Sequence, residues 1–281
     1  MPSLEKIISP SNIIDEETLS TLKSCKNFYL KSIILNLLRD CPDLNKDIKE
    51  CIKKTYDNQE NDDINKLISS AHFPGYPEHY RLSDFDPSCL SEKDQKEYEE
   101  LSKLSFLKSK KRPNVLLYGL PGQGREKLAI GLGDACCRAK MNVMYVDYAQ
   151  FVDIIRTRGI NSIFKKRYNL MAKTNCLIIN NFAGTNVHDE DVLDGMTLFM
   201  EERTQSHTDS LIQHEHNSSS PFVPCCTIAT SSFEPANWIG TMDQHEKKTF
   251  ALARLFYSSH AVVIQVEESI KTPSEITKQE D

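Results

Sequence analysis

From Asn114 onward, short unbroken apolar runs alternate with longer stretches whose apolar residues recur at helical spacing. Runs at Asn114–Tyr118, Asn142–Asp147, Cys176–Asn180, Cys225–Thr230 and Ala261–Val266 predict strands. Helices are expected over Arg125–Lys140, Ala149–Ala172, Asp189–Thr204 and Pro235–Ser258. Strands of this kind, apolar throughout and separated by helices, imply a parallel sheet covered on both faces and joined by right-handed crossovers. The expectation is a three-layer α/β core with five parallel strands, in which ligands sit at the carboxyl ends of the strands.

The segment before this core reads differently. Leu19, Leu22, Phe28, Leu30, Ile33, Ile34, Leu37 and Leu38 predict an amphipathic helix from Asp15 to about Asp40, ending before Pro42. A more charged helix follows from Asp43 to about Tyr56, then an acidic polar loop at Asp57–Asp63 and a short helix at Ile64–Ala71. Residues 1–72 are therefore a small helical domain. Residues 73–113 form a connector with a helix capped by Ser91. The core spans 114–270, with an exposed insertion at Gln205–Pro224, and 271–281 is a flexible tail.

Composition narrows the classes. With 281 residues and 39% hydrophobic content the chain can bury a sizeable core, and its 26% charged content sums to a net charge of -6. That balance gives no global basic footprint, so nucleic-acid contact would rest on local patches. Lys108, Lys110, Lys111 and Arg112 form one such cluster, and Arg156, Arg158, Lys165, Lys166 and Arg167 another; the bland alternative for each is a solvated face. Nine cysteines, with adjacent pairs at Cys136/Cys137 and Cys225/Cys226, match no secreted disulfide framework. No basic flank precedes an apolar run at the start and no apolar stretch has spanning length, so the cytoplasm is the expected compartment and no membrane is involved.

Chemistry concentrates in one loop. The strand NVLLY leads into Gly119, Leu120, Pro121, Gly122, Gln123 and Gly124 and then a helix, the strand-loop-helix setting of a Walker A phosphate loop. Glycines let successive N–H groups face inward as an anion nest, and the helix start adds partial positive charge. The two positions that follow should be Lys and Ser or Thr; here they are Arg125 and Glu126. Arg keeps the charge with a broader head, while Glu126 replaces the Mg²⁺-binding hydroxyl by a carboxylate that repels phosphate unless a metal intervenes. The third strand should end in an acid pair, and ends instead at Asn180 and Asn181, which cannot organise Mg²⁺ or activate water as carboxylates do. The expected ligand is ATP or ADP, weakly held, with Mg²⁺ deprived of its usual anchors and hydrolysis slow. Two alternatives stand beside this: an active ATPase built on Arg125, and an interaction module that takes no nucleotide.

The order of NVLLYGLPGQG, KLAIGLGDACCRA, CLIINNF, CTIATSSFEPANW and FALARLFYSSHAVVIQVEESI resembles the IstB/DnaC-like AAA+ proteins, which include transposition helpers and replicative helicase loaders. The similarity covers about residues 72–270. It implies a P-loop NTPase fold, nucleotide-controlled homo-oligomers on DNA, and a transposase or helicase as partner. It also implies that Ser232 stands where the family carries a polar sensor, commonly Asn, and that Arg254 matches an arginine acting in trans on a neighbour's phosphates. Partner binding or self-association would use the N-terminal helices.

One further constellation, His207, His214 and His216 ahead of Cys225 and Cys226, has zinc-ligand residue types without a standard zinc spacing, and reads better as a solvated loop beside a buried strand. Asp147, at the end of the second strand, is expected to order the next turn or cap a helix.

Overall fold

The computed structural model describes residues 45–75, 80–109, 114–158, 162–184, 187, 189–217, 219, 221–240, 251–253, 256 and 262–265. The chain divides into two compact units, Met1–Asn65 and Lys66–Asp281, a boundary seven residues ahead of the one expected at 72. The division falls within helix α1 (Asn45–Ser70). The expected helix at Asp15–Asp40, the tail 271–281 and Arg254 lie outside the described residues.

Helix α1 corrects the reading of Asp57–Asp63 as a loop. The run DNQENDD is polar and exposed, yet no Gly or Pro occurs between Asn45 and Ser70, so nothing interrupts the backbone hydrogen bonding of the helix. The two helices and the loop expected there are one element.

In the second unit five strands form one parallel sheet: β1 (Val115–Tyr118), β2 (Val143–Asp147), β3 (Cys176–Asn180), β4 (Cys226–Ser231) and β5 (Val262–Gln265), in the spatial order β2-β3-β4-β1-β5. The strands pair in register, Asp147 opposite Asn180 and Tyr118 opposite Ser231, so their carboxyl ends share one edge of the sheet. Tyr145 N–H on edge strand β2 donates to Ala71 O at 2.9 Å, which satisfies one backbone group that faces away from the sheet.

Each face of the sheet carries helices. On one side lie α4 (Tyr148–Thr157) and α6 (Glu190–His216), with α5 (Ser162–Lys173) packed on them. Their buried residues Phe151, Ile155, Met196 and Phe199 join Leu116, Leu177, Ile179 and Ala229 of the sheet. On the other side α3 (Arg125–Arg138) covers the sheet, and α2 (Glu92–Ser102) packs beside it. Ser91 caps α2 as expected, accepting from Asp94 N–H at 3.2 Å. Gly131 shows how tightly α3 is seated: a Cβ there would stand 2.9 Å from the backbone of Leu82.

The insertion is likewise corrected. Helix α6 does not stop near Thr204 but continues through Gln205–His216, and His207 is fully buried. No helix breaker occurs before Pro221, and Gln205 Nε2 donates to Asp209 Oδ1 at 2.8 Å across one turn. The chain then returns along the helix, with Val223 N–H donating to Ser210 Oγ at 2.8 Å. Where helices were expected over Pro235–Ser258, a 3-10 helix spans Pro235–Gly240 and residues 251–253 are helical. No described helix is long and apolar enough to cross a membrane.

Candidate functional site

The turn from β1 into α3 runs over the carboxyl edge of the sheet. Gly119 N–H donates to Ser231 O at 3.3 Å, tying the start of the loop to the end of β4. Gly122 has φ +89° and Gly124 φ +81°, a left-handed conformation that costs other residues roughly 1–2 kcal/mol. Gln123 is buried and turns its side chain inward, so that Oε1 accepts Leu120 N–H at 2.6 Å. Gly124 is the N-cap of α3 and offers no side-chain acceptor, which leaves the first-turn N–H groups of the helix without a cap from that position.

A cavity of about 410 Å³ opens beside this turn, lined by Pro121, Gly122, Gly124, Arg125, Glu126, Lys127, Asp147, Asn180, Asn181 and Thr230. The sheet order explains the membership: β4 lies between β1 and β3, and β2 flanks β3, so the ends of four strands surround the start of α3. Arg125 is half-buried, its Nη1 is closed off from water without a hydrogen-bond partner among the described residues, and burial lowers its pKa against the opposing pull of Glu126. Glu126 Oε1 accepts from Tyr145 Oη at 2.5 Å and from Asn180 Nδ2 at 3.3 Å. Burial, reinforced by the bond to Glu126, raises the pKa of the Tyr145 hydroxyl, so it stays a donor.

Asn180 and Asn181 part ways. Asn180 reaches into the cluster, donating to Glu126 and also to Asp147 Oδ1 at 3.3 Å, and accepting at Oδ1 from Thr230 Oγ1 at 2.7 Å. Asn181 has φ +55° and folds its side chain over the following turn, where a Cβ on Gly184 would meet Asn181 Nδ2 at 2.2 Å. Its N–H donates to Thr230 Oγ1 at 2.9 Å. Phe182 anchors this turn in an aromatic cluster, with ring centroids 4.9 Å from both Tyr148 and Trp238.

Of the residues singled out in the sequence, Pro121, Gly122, Gly124, Arg125, Glu126, Asn180 and Asn181 meet at the cavity. Gly119, Leu120 and Gln123 shape the loop without lining it. Ser232 lies beyond the end of β4 and is absent from the lining; the polar side chain that β4 presents there is Thr230. Asp147 occupies the N-cap position of α4 but makes no side-chain cap bond; its carboxylate turns to Asn180. Lys127, whose use as the loop lysine would break the glycine spacing, lines the cavity, while Tyr145 and Thr230 escaped sequence reasoning. Tyr145 reads there as an ordinary apolar strand position, and only its register on β2 brings its hydroxyl to Glu126.

His207 Nδ1 accepts Cys225 N–H at 3.2 Å and its Nε2 lies 3.0 Å from Ser109 O, so the imidazole is consumed by backbone groups. Among the described residues no group of three or more His, Cys, Asp or Glu side chains is arranged to hold a metal ion. In the second basic cluster Lys165, Lys166 and Arg167 are exposed on α5, whereas Arg156 meets Asp153 at 3.4 Å.

A parallel five-stranded sheet, a glycine-rich turn from an interior strand into a helix, and a cavity over its carboxyl edge together define a P-loop NTPase fold of the AAA+ kind. The family model described as IstB-like ATP binding protein matches residues 49–215, more than half of the chain. The chain belongs to that family. Among solved structures it is similar to replication initiator DnaA bound to AMPPCP and single-stranded DNA, at 16% identity and TM-score 0.49, over 71% of this chain and 53% of that one. It therefore spans about half of the DnaA chain. It is also similar to DnaI, at 16% identity and TM-score 0.48 over 67% and 91% of the two chains. The third similarity is to the DnaC helicase loader, at 10% identity and TM-score 0.45 over 66% and 96%. Comparison with curated proteins returned no match.

Proposed function

We propose that this chain is a nucleotide-binding accessory protein for DNA transactions, of the transposition-helper or helicase-loader type, and that it hydrolyses ATP poorly or not at all. Membership of an ATP-binding family supports the ligand class. The observation that carries the reading is the cavity itself: a left-handed glycine turn and the uncapped start of α3 on one wall, and amides in place of carboxylates at the end of β3 on the other. The first wall suits phosphate. At the end of β3 no carboxylate is offered as a base: Asn180 and Asn181 are amides, the first bonded to Glu126, Asp147 and Thr230 and the second lying over Gly184.

The physiological partners are DNA and a transposase or replicative helicase, and the chain self-associates. The exposed Lys165, Lys166 and Arg167 on α5 support a phosphate-backbone contact. The five buried free thiols at Cys136, Cys137, Cys176, Cys225 and Cys226 suit a reducing cytoplasm.

Thermal unfolding with increasing ADP or ATP tests ligand binding, since a ligand bound only by the folded state raises its stability. A saturable rise is expected, and its absence leaves a pure interaction module. Steady-state turnover on the order of 10²-fold or more below that of a relative with an intact acid pair is expected. A comparable rate, abolished by Arg125→Ala, would make the protein a working ATPase. DNA affinity should fall steeply with salt, and a flat response would remove the basic helix from consideration.

A further inference from the structure

The family implies a Mg²⁺ ion beside the nucleotide, and the side chains at that place do not fit one. The misfit turns on the orientation of the Asn180 amide. Thr230 Oγ1 accepts the N–H of Asn181 at 2.9 Å and lies 2.7 Å from Asn180 Oδ1, so its single proton goes to that oxygen. With Oδ1 committed to Thr230, Nδ2 faces Glu126 Oε1 and Asp147 Oδ1, each at 3.3 Å. The flipped amide would put an oxygen against two carboxylates, so the network admits one orientation.

The consequence is that an amide N–H₂ group fills the gap between two carboxylates, where a hydrated cation would otherwise sit. Glu126 Oε1 also holds the Tyr145 hydroxyl at 2.5 Å. A divalent ion needs oxygen ligands, and one that bridged Glu126 Oε1 and Asp147 Oδ1 would have to displace or turn Asn180 and break its bond to Thr230. Positive charge toward the cavity comes instead from Arg125, whose Nη1 has no acceptor among the described residues, and from Lys127.

We propose that the site takes its nucleotide as the metal-free phosphate ester, with the Asn180 amide standing in for the divalent cation between Glu126 and Asp147. This rests on the nucleotide-binding reading above and specifies the form of the ligand.

The test is calorimetric titration of the full-length chain with ADP, once in excess EDTA and once in millimolar Mg²⁺. The expected result is saturable binding whose Kd differs less than about twofold between the two buffers. Binding that weakens tenfold or more in EDTA overturns the inference and leaves the nucleotide reading standing. No binding in either buffer fails the nucleotide reading itself, and the inference with it. In Asn180→Asp a third carboxylate replaces the N–H₂ donor; ADP should then bind at least tenfold tighter with Mg²⁺ than with EDTA. A folded Asn180→Asp protein with no Mg²⁺ dependence also counts against the inference. The wild-type pair of titrations decides the matter even where that variant does not fold.

Discussion

Arg203 Nε donates to Thr227 Oγ1 at 3.1 Å in a place water does not reach, Arg203 being 1% exposed and Thr227 not at all. The same guanidinium donates through Nη1 to the carbonyls of Met171 (2.7 Å), Ala172 (3.0 Å) and Thr174 (3.1 Å), and through Nη2 to the carbonyl of Cys226. One side chain on α6 thus closes the carboxyl end of α5 and grips the start of β4, and all five acceptors are neutral. A cation at a helix C-terminus is well placed against the helix dipole.

Replacing Arg203 by Met keeps the length and removes every donor. The carbonyls it now satisfies would be left in the interior, so Arg203→Met should lower the unfolding free energy by about 3–5 kcal/mol. Urea denaturation measures this. Arg203→Lys should recover only part of the loss, because an ammonium has three donors and no fork. A loss under about 1 kcal/mol for the Met variant would mean that the clamp contributes little.

His207 gives a pH dependence whose sign can be worked out. Its ring is buried, and burial lowers its pKa below the ordinary 6.5, against a backbone bond to Ser109 that raises it. Its Nδ1 accepts the Cys225 N–H, a bond that protonation abolishes. The unfolded chain therefore takes up a proton at a pH where the folded chain does not. Stability should be complete above pH 6.5, fall as pH drops below it, and level off once pH passes below the folded-state pKa. His207→Gln, which keeps a donor and an acceptor, should flatten this slope. Denaturation midpoints of the two proteins between pH 7.5 and 5 give the comparison, and parallel curves would show that His207 is not the titrating group.

Cysteine reactivity should separate sharply by position. Cys51 is exposed, whereas Cys136, Cys137, Cys176, Cys225 and Cys226 are buried. Burial pushes the Cys137 thiol up to about 12 and raises Cys225 and Cys226 as well, so almost none is thiolate at neutral pH. Brief alkylation of the native protein followed by peptide mapping should label Cys51 and spare these five. Denaturant should make these six of the nine cysteines equally reactive. Early labelling of Cys176 or Cys226 would contradict the packing of β3 against β4.

Much of this architecture is legible along the chain, for a physical reason. A strand buried on both faces is mostly apolar, so VLLY and the CLII of β3 announce themselves, while β4 carries buried Thr227, Thr230 and Ser231, and Gly122 and Gly124 mark a turn with left-handed backbone. What stays hidden depends on which strands become neighbours. Alternation of strand and helix says nothing of the order β2-β3-β4-β1-β5, and that order alone brings Asp147, Thr230 and Glu126 to Asn180. Polarity misleads in the opposite direction: Arg203 looks like the solvent face of a helix and His207 like part of an exposed insertion, yet both are buried because carbonyl and amide groups of the interior need their nitrogen atoms. Hydrophilic composition alone did not break the helix at Asp57–Asp63 or after Thr204, since neither segment contains Gly or Pro.

Two glycines of the same loop-helix unit make a final contrast, because they are required for different reasons. At Gly122 a Cβ would meet nothing within 4 Å, but φ is +89°. Gly122→Ala should therefore cost about 1–2 kcal/mol of backbone strain without disturbing the core. Relief of that strain would move the turn, so nucleotide binding should weaken together with stability. At Gly131 the conformation is ordinary and space is the limit, with backbone atoms of Leu82 at 2.9 Å from the added carbon. Main chain cannot swing aside as a side chain does, so Gly131→Ala should cost about 1–3 kcal/mol by pushing α3 off the Leu82–Asp84 turn. Its effect on ligand affinity should be the smaller of the two, since Gly131 lies about one turn beyond Lys127, the last residue of α3 to line the cavity. Equilibrium unfolding and ADP titration of both variants check the pair, and equal losses of affinity would mean that the loop conformation is not what the ligand reads.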